Sequence, residues 1–174
     1  MLAVFTHKAV DRFLLGVYTP IMKVVTPKPA AKAREIAFTC ACGKLRKASR
    51  AVTQYYEAAL QPSNLTITQF GLLVALNLAE PVPIGVLADE LVMDRTTLKR
   101  NIELLVRDGM VEIVQGNDRR AKLLKSTGKG RTSFERAIPL WDKAQNSLVA
   151  RFGKQNLKEL GNSLAALTSL ALFN

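Results

Sequence analysis

The sequence of 174 residues is poor in the side chains on which catalytic and metal sites depend. It has one histidine, His7, and two cysteines, Cys40 and Cys42. Because a Ser or Cys nucleophile needs a nearby base, and His7 lies outside the predicted folded region, no Ser-His or Cys-His pair can form within that region. No glycine-rich phosphate loop is present, and the carboxylates mostly neighbour basic residues, where surface ion pairs are typical. The sequence therefore argues against an enzyme and predicts neither a cofactor nor a metal.

Acidic and aromatic residues are also scarce. The chain has 14 Asp and Glu against 25 Lys and Arg, a formal net charge of +11. This excess favours a polyanionic partner, which charge alone does not identify as DNA, RNA or an anionic membrane. With 6% aromatic residues and no aromatic-rich signature of an RNA-binding sheet, RNA is the weaker hypothesis. The length fits one folded domain with a tail.

Long apolar runs are missing. The first 33 residues are partly apolar, but Asp11 and Pro20 interrupt them, and no run approaches the ~18 residues of a membrane-spanning helix. Lysines also separate this region from its one candidate signal-peptidase site. We therefore expect residues 1–33 to form a disordered tail, and we expect a cytoplasmic protein with no membrane partner.

Residues 84–131 contain the most informative pattern. Apolar residues recur at the i, i+3, i+4, i+7 spacing of a helix buried on one side: Ile84, Leu87, Ala88 and Leu91. Residues 92–93 form a short turn. Asp94 is placed to cap a second helix, which begins at Arg95, because its carboxylate can accept the free N–H groups of the first turn.

The second helix has one apolar arc and one cationic face. The arc consists of Leu98, Ile102, Leu105 and Val106. The remaining surface carries Thr96, Thr97, Lys99 and Arg100. Arginine bonds guanine bidentately, and threonine and lysine bind bases or phosphates, so this face suits the major groove of DNA. The alternative is an ordinary solvated surface.

A basic hairpin follows the second helix. Gly109 ends that helix, and residues 110–115 alternate as a strand with Val111 and Ile113 on one side. Residues 116–118 supply a turn. The return segment 119–131 holds six cations and no acidic residue: Arg119, Arg120, Lys122, Lys125, Lys129 and Arg131. Charge runs are usually solvated, but this one adjoins a DNA-reading helix and predicts a cationic finger for the minor groove.

The flanking segments are predicted to be helices. Residues 33–60 form one long amphipathic helix, Thr66 and Gln69 form a capping box, and residues 127–152 form a helix bent at Pro139. A last helix from residue 156 carries leucines at positions 157, 160, 164, 167 and 170. This apolar stripe is larger than a small DNA-binding domain needs to cover its own core. Exposed stripes of this kind are typical of surfaces that bind another protein chain.

From about residue 37 onward, the sequence resembles the MarR family of transcriptional regulators. The segments that carry the resemblance are 65–73 (second helix), 92–102 (recognition helix), 105–112 (helix-to-wing junction) and 117–123 (the Asp-x-Arg wing signature). The resemblance implies a mainly α fold with a small β-hairpin wing, a winged helix-turn-helix over residues 34–174. Its DNA-binding region would span about 66–126, and its dimerisation helices about 34–60 and 127–174.

The resemblance also implies roles for individual residues. Asp118 would brace the wing, Arg120 would enter the minor groove, and Arg119 would bind phosphate, with Lys122 also on the DNA side. The major-groove set would be Arg95, Thr96, Thr97, Lys99 and Arg100. The chain departs from the family pattern at Ser126, where an apolar residue is common, and at Gly128, where proline is frequent, which puts the rigidity of the wing in question.

The function implied is that of a homodimeric repressor that binds double-stranded DNA at a roughly palindromic operator. A small aromatic effector, bound in the crevice between the dimer helices and the winged domain, or thiol oxidation would release it. The alternatives are a winged-helix module that binds only protein and a non-specific DNA-binding protein without effector response.

The two cysteines allow several interpretations. Cys40 and Cys42 lie on nearly opposite faces of the predicted helix, so a disulfide between them requires local unwinding. They are small buried residues, redox sensors, or half of a zinc site completed across a dimer. The position of Cys42 is similar to that of the sensing cysteine in the organic-hydroperoxide branch of the family. Tyr56 occupies one of the positions of that branch's supporting tyrosines, and Arg46 stands at the other.

Overall fold

The computed structural model describes residues 28–116 and 122–170. The helices are α1 (Lys28–Thr39), α2 (Ala41–Leu60), α3 (Ile67–Ala79), α4 (Ile84–Glu90), α5 (Arg95–Arg107), α6 (Gly128–Phe152) and α7 (Lys154–Thr168). The strands are β1 (Val82–Pro83), β2 (Val111–Gln115) and β3 (Lys122–Ser126). The predicted fold class, mainly α with a small β wing, is confirmed. The chain divides into two units, residues 1–48 and 49–174.

The first unit contains α1 and the beginning of α2, and it corrects two predictions. Helix α1 begins at Lys28, so residues 28–33 are helical rather than part of a disordered tail. The predicted single helix is interrupted at Cys40. Thr39 Oγ1 donates to the carbonyl of Glu35 (2.7 Å), a bond that bends helices, and the N–H of Gly43 donates to Cys40 Sγ (3.4 Å) in place of a carbonyl. The sulfur of Cys40 therefore replaces one rung of the helical ladder, while the N–H groups of Cys40 and Lys44 still donate to the carbonyls four residues earlier (2.9 and 3.2 Å).

In the second unit, α3 begins as predicted. The hydroxyl of Thr66 accepts from the N–H of Gln69 (3.1 Å), and the Gln69 side chain accepts from the N–H of Thr66 (3.0 Å). Helix α3 buries Phe70, Leu73 and Leu76 in the core. Leu78 is exposed, because it lies about 200° around the helix from the buried Leu76.

Helices α4 and α5 end in the same hydrogen-bond pattern. After α4, Met93 N–H donates to Ala88 O (2.9 Å) and Val92 N–H to Asp89 O (3.1 Å). After α5, the N–H groups of Met110 and Gly109 donate to the carbonyls of Leu105 (2.8 Å) and Val106 (2.9 Å). Both are Schellman motifs, which place one residue in the left-handed region. That residue is Gly109 (φ 70°) after α5, which confirms the predicted stop, and Val92 (φ 48°) after α4.

The three strands form an antiparallel sheet in the order β1-β3-β2. In its register Val82 pairs with Leu124, and β2 runs beside β3 from Val111 opposite Ser126 to Gln115 opposite Lys122. Strand β1 was not predicted, because two residues including a proline are too short to show alternation. Ile113 was expected to share the buried side with Val111, but it is 52% exposed, because β2 is an edge strand and an open cleft separates its outer half from α5.

The start of α6 corrects the predicted length of the basic hairpin. Strand β3 ends at Ser126, and the Thr127 hydroxyl caps α6 by accepting from the N–H of Gly130 (3.1 Å). Lys129 and Arg131 therefore lie in the first turn of α6 rather than in the wing, and Lys129 Nζ donates to the carbonyl of Asp108 (2.7 Å). The capping threonine decides where the strand stops.

Backbone contact holds this first turn of α6 against the end of α5. A Cβ on Gly130 would lie 2.0 Å from the carbonyl oxygen of Met110, so glycine is required there. Thr127 also donates from its hydroxyl to Gly109 O (2.7 Å) and from its N–H to Met110 O (3.0 Å). Helix α5 is thus joined directly to α6.

Helix α6 packs on α3 through aromatic side chains. The ring of Phe70 lies 5.5 Å from that of Phe134 and 6.4 Å from that of Trp141. Pro139 lies inside α6, which continues to Phe152. Helix α7 buries none of its residues in the single chain. Among the described helices, none combines the length and the apolar character needed to cross a membrane.

A carboxylate connects the end of α3 to the wing and to α6. Glu80 accepts a hydrogen bond from the N–H of Ser126 and forms an ion pair with Arg131 (3.0 Å). Burial alone would raise the pKa of Glu80, but the hydrogen bond from the Ser126 backbone and the charge of Arg131 outweigh it and lower that pKa below its ordinary value. Ser126 is fully buried, and its hydroxyl has no hydrogen-bond partner among the described residues. The Glu80 carboxylate therefore holds the strand to which Ser126 belongs.

We predict that Glu80→Gln lowers the free energy of unfolding by about 1–2 kcal/mol at neutral pH, because an amide cannot accept from both Ser126 and Arg131 with full charge. Since the pKa of Glu80 is lowered in the fold, its contribution is present above the ordinary carboxyl pKa and is lost as the pH falls through the folded value. The measurement is urea unfolding of wild type, Glu80→Gln and the exposed control Glu135→Gln between pH 3 and 7. A mutant with the full acid sensitivity of the wild type would contradict this role.

Candidate nucleic-acid interface

The start of α5 is fixed by the predicted cap. Asp94 Oδ1 accepts the N–H of Thr96 (2.9 Å) and that of Thr97 (3.0 Å). The carboxylate also lies at the positive end of the helix dipole, which stabilises it. The direction of every side chain in the first turn follows from this cap.

The apolar arc of α5 packs as predicted, and this exposes the cationic face. Leu98, Ile102 and Leu105 are buried in the main core. Because these residues fix the rotation of the helix, the opposite side chains lie at the surface. The exposed set comprises Arg95, Thr96, Thr97, Lys99 and Arg100.

The cations of this face differ in their surroundings. Lys99 forms an exposed ion pair with Glu103 (3.8 Å). Neither Arg95 nor Arg100 pairs with an acidic group in the ranges 28–116 and 122–170. The guanidinium of Arg95 passes over Gly85 of α4, where an added Cβ would be 3.9 Å away. Arg100 thus presents its five donors to an outside acceptor without first breaking an ion pair.

Part of the wing prediction falls outside the described residues. Asp118, Arg119 and Arg120 lie there, so their predicted roles stay predictions. Lys122 is described and exposed at the first position of β3, opposite Gln115. Of the six cations assigned to the hairpin, Lys122 and Lys125 lie in a described strand.

A cleft of about 440 Å³ separates α5 from the wing and brings predicted residues of both together. Its wall is mainly aliphatic, formed by Ile84, Ile102, Val106, Ile113 and Leu124. Lys99 of α5 and Lys122 of β3 both border it. The structure therefore places a cation of the recognition helix and a cation of the wing on one surface, although 23 positions separate them in the chain.

A second cavity, of about 460 Å³, lies between α2 and α6. It is lined by Tyr55, Ala58, Ala59, Pro62, Leu140, Lys143, Ala144 and Ser147. The hydroxyl of Tyr55 donates to the carbonyl of Ala144 (2.9 Å), and that of Tyr56 donates to the side chain of Gln145. Burial, with the neighbouring Tyr55, raises the pKa of Tyr56, so its hydroxyl stays protonated as a donor. Sequence reasoning missed these contacts, because about 90 positions separate the partners.

In the first unit, Cys40 is partly buried and Cys42 is exposed, and both are free thiols. The interpretation as small buried residues therefore fails for Cys42 within the single chain. Among the described residues, no group of three or more His, Cys, Asp or Glu side chains is placed to hold a metal ion.

Comparisons with known proteins agree with this geometry. A model of the MarR family matches residues 63–121, which contain the capping box, α4, α5 and β2. No curated protein sequence gives a significant match.

Several solved structures resemble the chain. The M. tuberculosis transcriptional regulator MosR, solved in complex with DNA, is 38% identical, with 74% of this chain and 98% of that chain covered and a TM-score of 0.63. MosR in a second crystal structure gives 36% identity, 75% and 98% coverage and a TM-score of 0.62. The PcaV regulator of Streptomyces coelicolor, at 17% identity, 86% and 99% coverage and a TM-score of 0.70, shares the fold.

The capped and cationic α5, the wing that follows it and the identity to MosR over nearly the whole of that chain lead to one assignment: this chain belongs to the MarR family of DNA-binding transcriptional regulators.

Proposed function

We propose that the protein is a sequence-specific, homodimeric repressor that binds a roughly palindromic DNA operator. The observation that carries the proposal is the exposed N-terminal turn of α5, whose cap and buried arc hold Arg95, Thr96, Thr97, Lys99 and Arg100 on one surface. The MosR structure, which contains DNA, supports it. Bound to a promoter, such a dimer represses by occupying the DNA.

We assign base recognition chiefly to Arg100. Within the described part of the chain its guanidinium has no acidic partner, and arginine matches the O6 and N7 acceptors of guanine. Lys99, already paired with Glu103, and the hydroxyls of Thr96 and Thr97 suit phosphate or base contacts of lower specificity. Arg95 leans over α4 and suits the phosphate backbone.

In the same proposal the wing enters the adjacent minor groove. Arg120 would insert where a narrow groove concentrates negative potential, and Arg119 and Lys122 would bind the flanking phosphates. Asp118 would brace the tip of the wing. The tie from Glu80 to Ser126 supports this arrangement, because it fixes the end of β3 relative to α3.

We predict that Arg100→Ala lowers the affinity for the operator by ~1–3 kcal/mol and leaves binding to random duplex nearly unchanged, because it removes a base contact. The matched control is Arg107→Ala, which removes the same charge from the far end of α5. Fluorescence anisotropy at fixed salt, with duplex recovered by random-pool selection on the wild type, measures both. Equal weakening on all sequences would make Arg100 a backbone contact, and a wild type that binds no duplex would favour a protein-interaction module.

The dimer is proposed from the surface of α7. Leu160, Leu164, Leu167 and Leu170 are all exposed in the single chain and recur every three or four residues, a stripe too regular for a solvated helix. Burying this stripe against a second copy gives two-fold symmetry, which suits two half-sites about one helical turn of DNA apart.

We predict that Leu164→Asp weakens dimerisation by about 100-fold or more, because two-fold symmetry places the buried charge in both copies. Asn162→Asp is the control, since it adds the same charge at an exposed position outside the stripe. Sedimentation over a concentration series gives the dissociation constants. A Leu164→Asp protein that stays dimeric like the control would place the interface elsewhere.

For release by an effector, we propose the cavity between α2 and α6. Its aliphatic and tyrosine lining suits a small aromatic ring, and the exposed Lys143 at its rim suits a carboxylate on that ring. A ligand held between these helices would bias the distance between the two recognition helices of a dimer.

Thiol oxidation is the second proposed signal. A hydroperoxide would oxidise the exposed Cys42 thiolate to a sulfenic acid and be reduced to an alcohol, and the Cys40 thiol would then displace water to form a disulfide. The break in the helix at Cys40 favours this step, because the bridge needs local unwinding and the helical ladder is already interrupted there.

We predict that hydroperoxide reversibly weakens operator binding, that Cys42→Ser abolishes this response and that Cys40→Ser reduces it less. The measurement is anisotropy before and after peroxide and again after reduction with dithiothreitol, with the thiol state followed by mass spectrometry. If wild type and both variants are equally insensitive and their thiols unreactive, oxidation is not the signal and the ligand cavity remains.

A further inference from the structure

Val92 has a backbone conformation that its side chain disfavours. Among the described residues, two that are not glycine have positive φ: Asn64 at 57° and Val92 at 48°. Asparagine visits this left-handed region readily, whereas a β-branched residue there is a genuine outlier. The strain at Val92 therefore calls for a reason.

The fold needs the conformation but not the valine. The Schellman motif after α4 turns the chain so that Met93 packs against the core and Asp94 reaches the start of α5. The identical motif after α5 uses Gly109, which adopts positive φ without a steric cost. Within one chain, the same turn is thus made once with the favoured residue and once with a strained one.

Packing within the chain does not explain the valine either. Leu91 and Met93, its two neighbours, pack against the hydrophobic core, but Val92 is 52% exposed and lies outside that cluster. A single exposed apolar residue is ordinary, but a strained one gains too little burial here to offset its conformation. Strained residues that no contact inside the protein explains are found mainly at binding sites.

The position of Val92 indicates which group its side chain would contact. It lies two residues before the cap of α5, immediately ahead of the exposed Arg95, Thr96 and Thr97. When the N-terminal turn of a recognition helix enters the major groove, this turn of the chain faces the edge of the same groove. The apolar group that the major groove offers is the 5-methyl of thymine.

We infer that Val92 is a specificity-determining residue, whose isopropyl group contacts a thymine methyl at the edge of the half-site read by α5. This inference rests on the proposed DNA binding. The left-handed conformation turns the side chain outward from the core, and the strain is kept because the contact forms only on DNA.

Two variants of the full chain separate strain from contact. Val92→Gly removes both, so the thermal midpoint should rise while the operator affinity falls. Val92→Ala keeps a Cβ in the left-handed region and removes two methyl groups, so the thermal midpoint should rise less than in Val92→Gly while the contact is weakened.

The decisive probe is the selected operator duplex and its copies in which single thymines are replaced by deoxyuridine, which lacks the methyl group. We expect wild type to bind the thymine form about fourfold more tightly per buried methyl at one position in each half-site. Val92→Gly should bind the thymine and deoxyuridine forms equally, and Val92→Ala should discriminate less than the wild type.

The outcomes are distinguishable. Loss of thymine discrimination in Val92→Gly and a smaller discrimination in Val92→Ala, with a more stable Val92→Gly, support the inference. Unchanged discrimination in the variants, or a Val92→Gly protein less stable than wild type, overturns it while leaving the proposed function intact. A wild type that binds no duplex overturns the proposed function itself.

Discussion

Burial of one face of α5 is the constraint on which the rest of the structure depends. Leu98, Ile102 and Leu105 lie in the core and fix the rotation of the helix, so the basic residues between them are forced to the surface. The two sets depend on each other, because a cationic face can read DNA only if burial of the opposite face fixes the rotation of the helix. The cap by Asp94 and the stop at Gly109 then fix where the helix begins and ends.

The end of α5 also determines the position of the wing. The carbonyls of Gly109 and Met110 accept from Thr127, and the close approach of Gly130 leaves no room for a side chain between α6 and the strand. Glu80 adds a charged tie from α3 to the other end of this junction. Helix α5, the sheet and the long helix α6 are therefore connected by short, directional bonds.

That connection gives the proposed ligand signal a route to α5. A ligand between α2 and α6 would act on the helix whose first turn holds the end of β3, and Tyr55 donates a hydrogen bond to the backbone of that helix at Ala144. Such coupling needs a differential affinity of the ligand for two arrangements of the dimer. The bond from Tyr55 to Ala144 and the lining of the cavity are the contacts through which that difference would act.

The sequence by itself determined the features that depend on neighbours along the chain. The cap at Asp94, the capping box at Thr66, the apolar arc of α5 and the stop at Gly109 are local, because each arises from residues within one or two helical turns. Their order was enough to indicate the family and the residues of the DNA-facing helix. The predicted single helix over 33–60 failed because a side-chain bond at Thr39 and the sulfur of Cys40 compete with the ladder, which periodicity does not register.

Only the tertiary structure decided what depends on distant partners. Arg131 and Lys129 belong to the same basic run as the wing, but Glu80 and the carbonyl of Asp108 hold them on α6. Strand β1 exists because it pairs with the edge of β3, and Ile113 is exposed because an open cleft separates the outer half of β2 from α5. The strain at Val92 likewise follows from a turn that must bring Met93 to the core. In each case the deciding feature is a residue distant in the sequence or a property of the backbone geometry. Neither can be predicted from residue type and spacing.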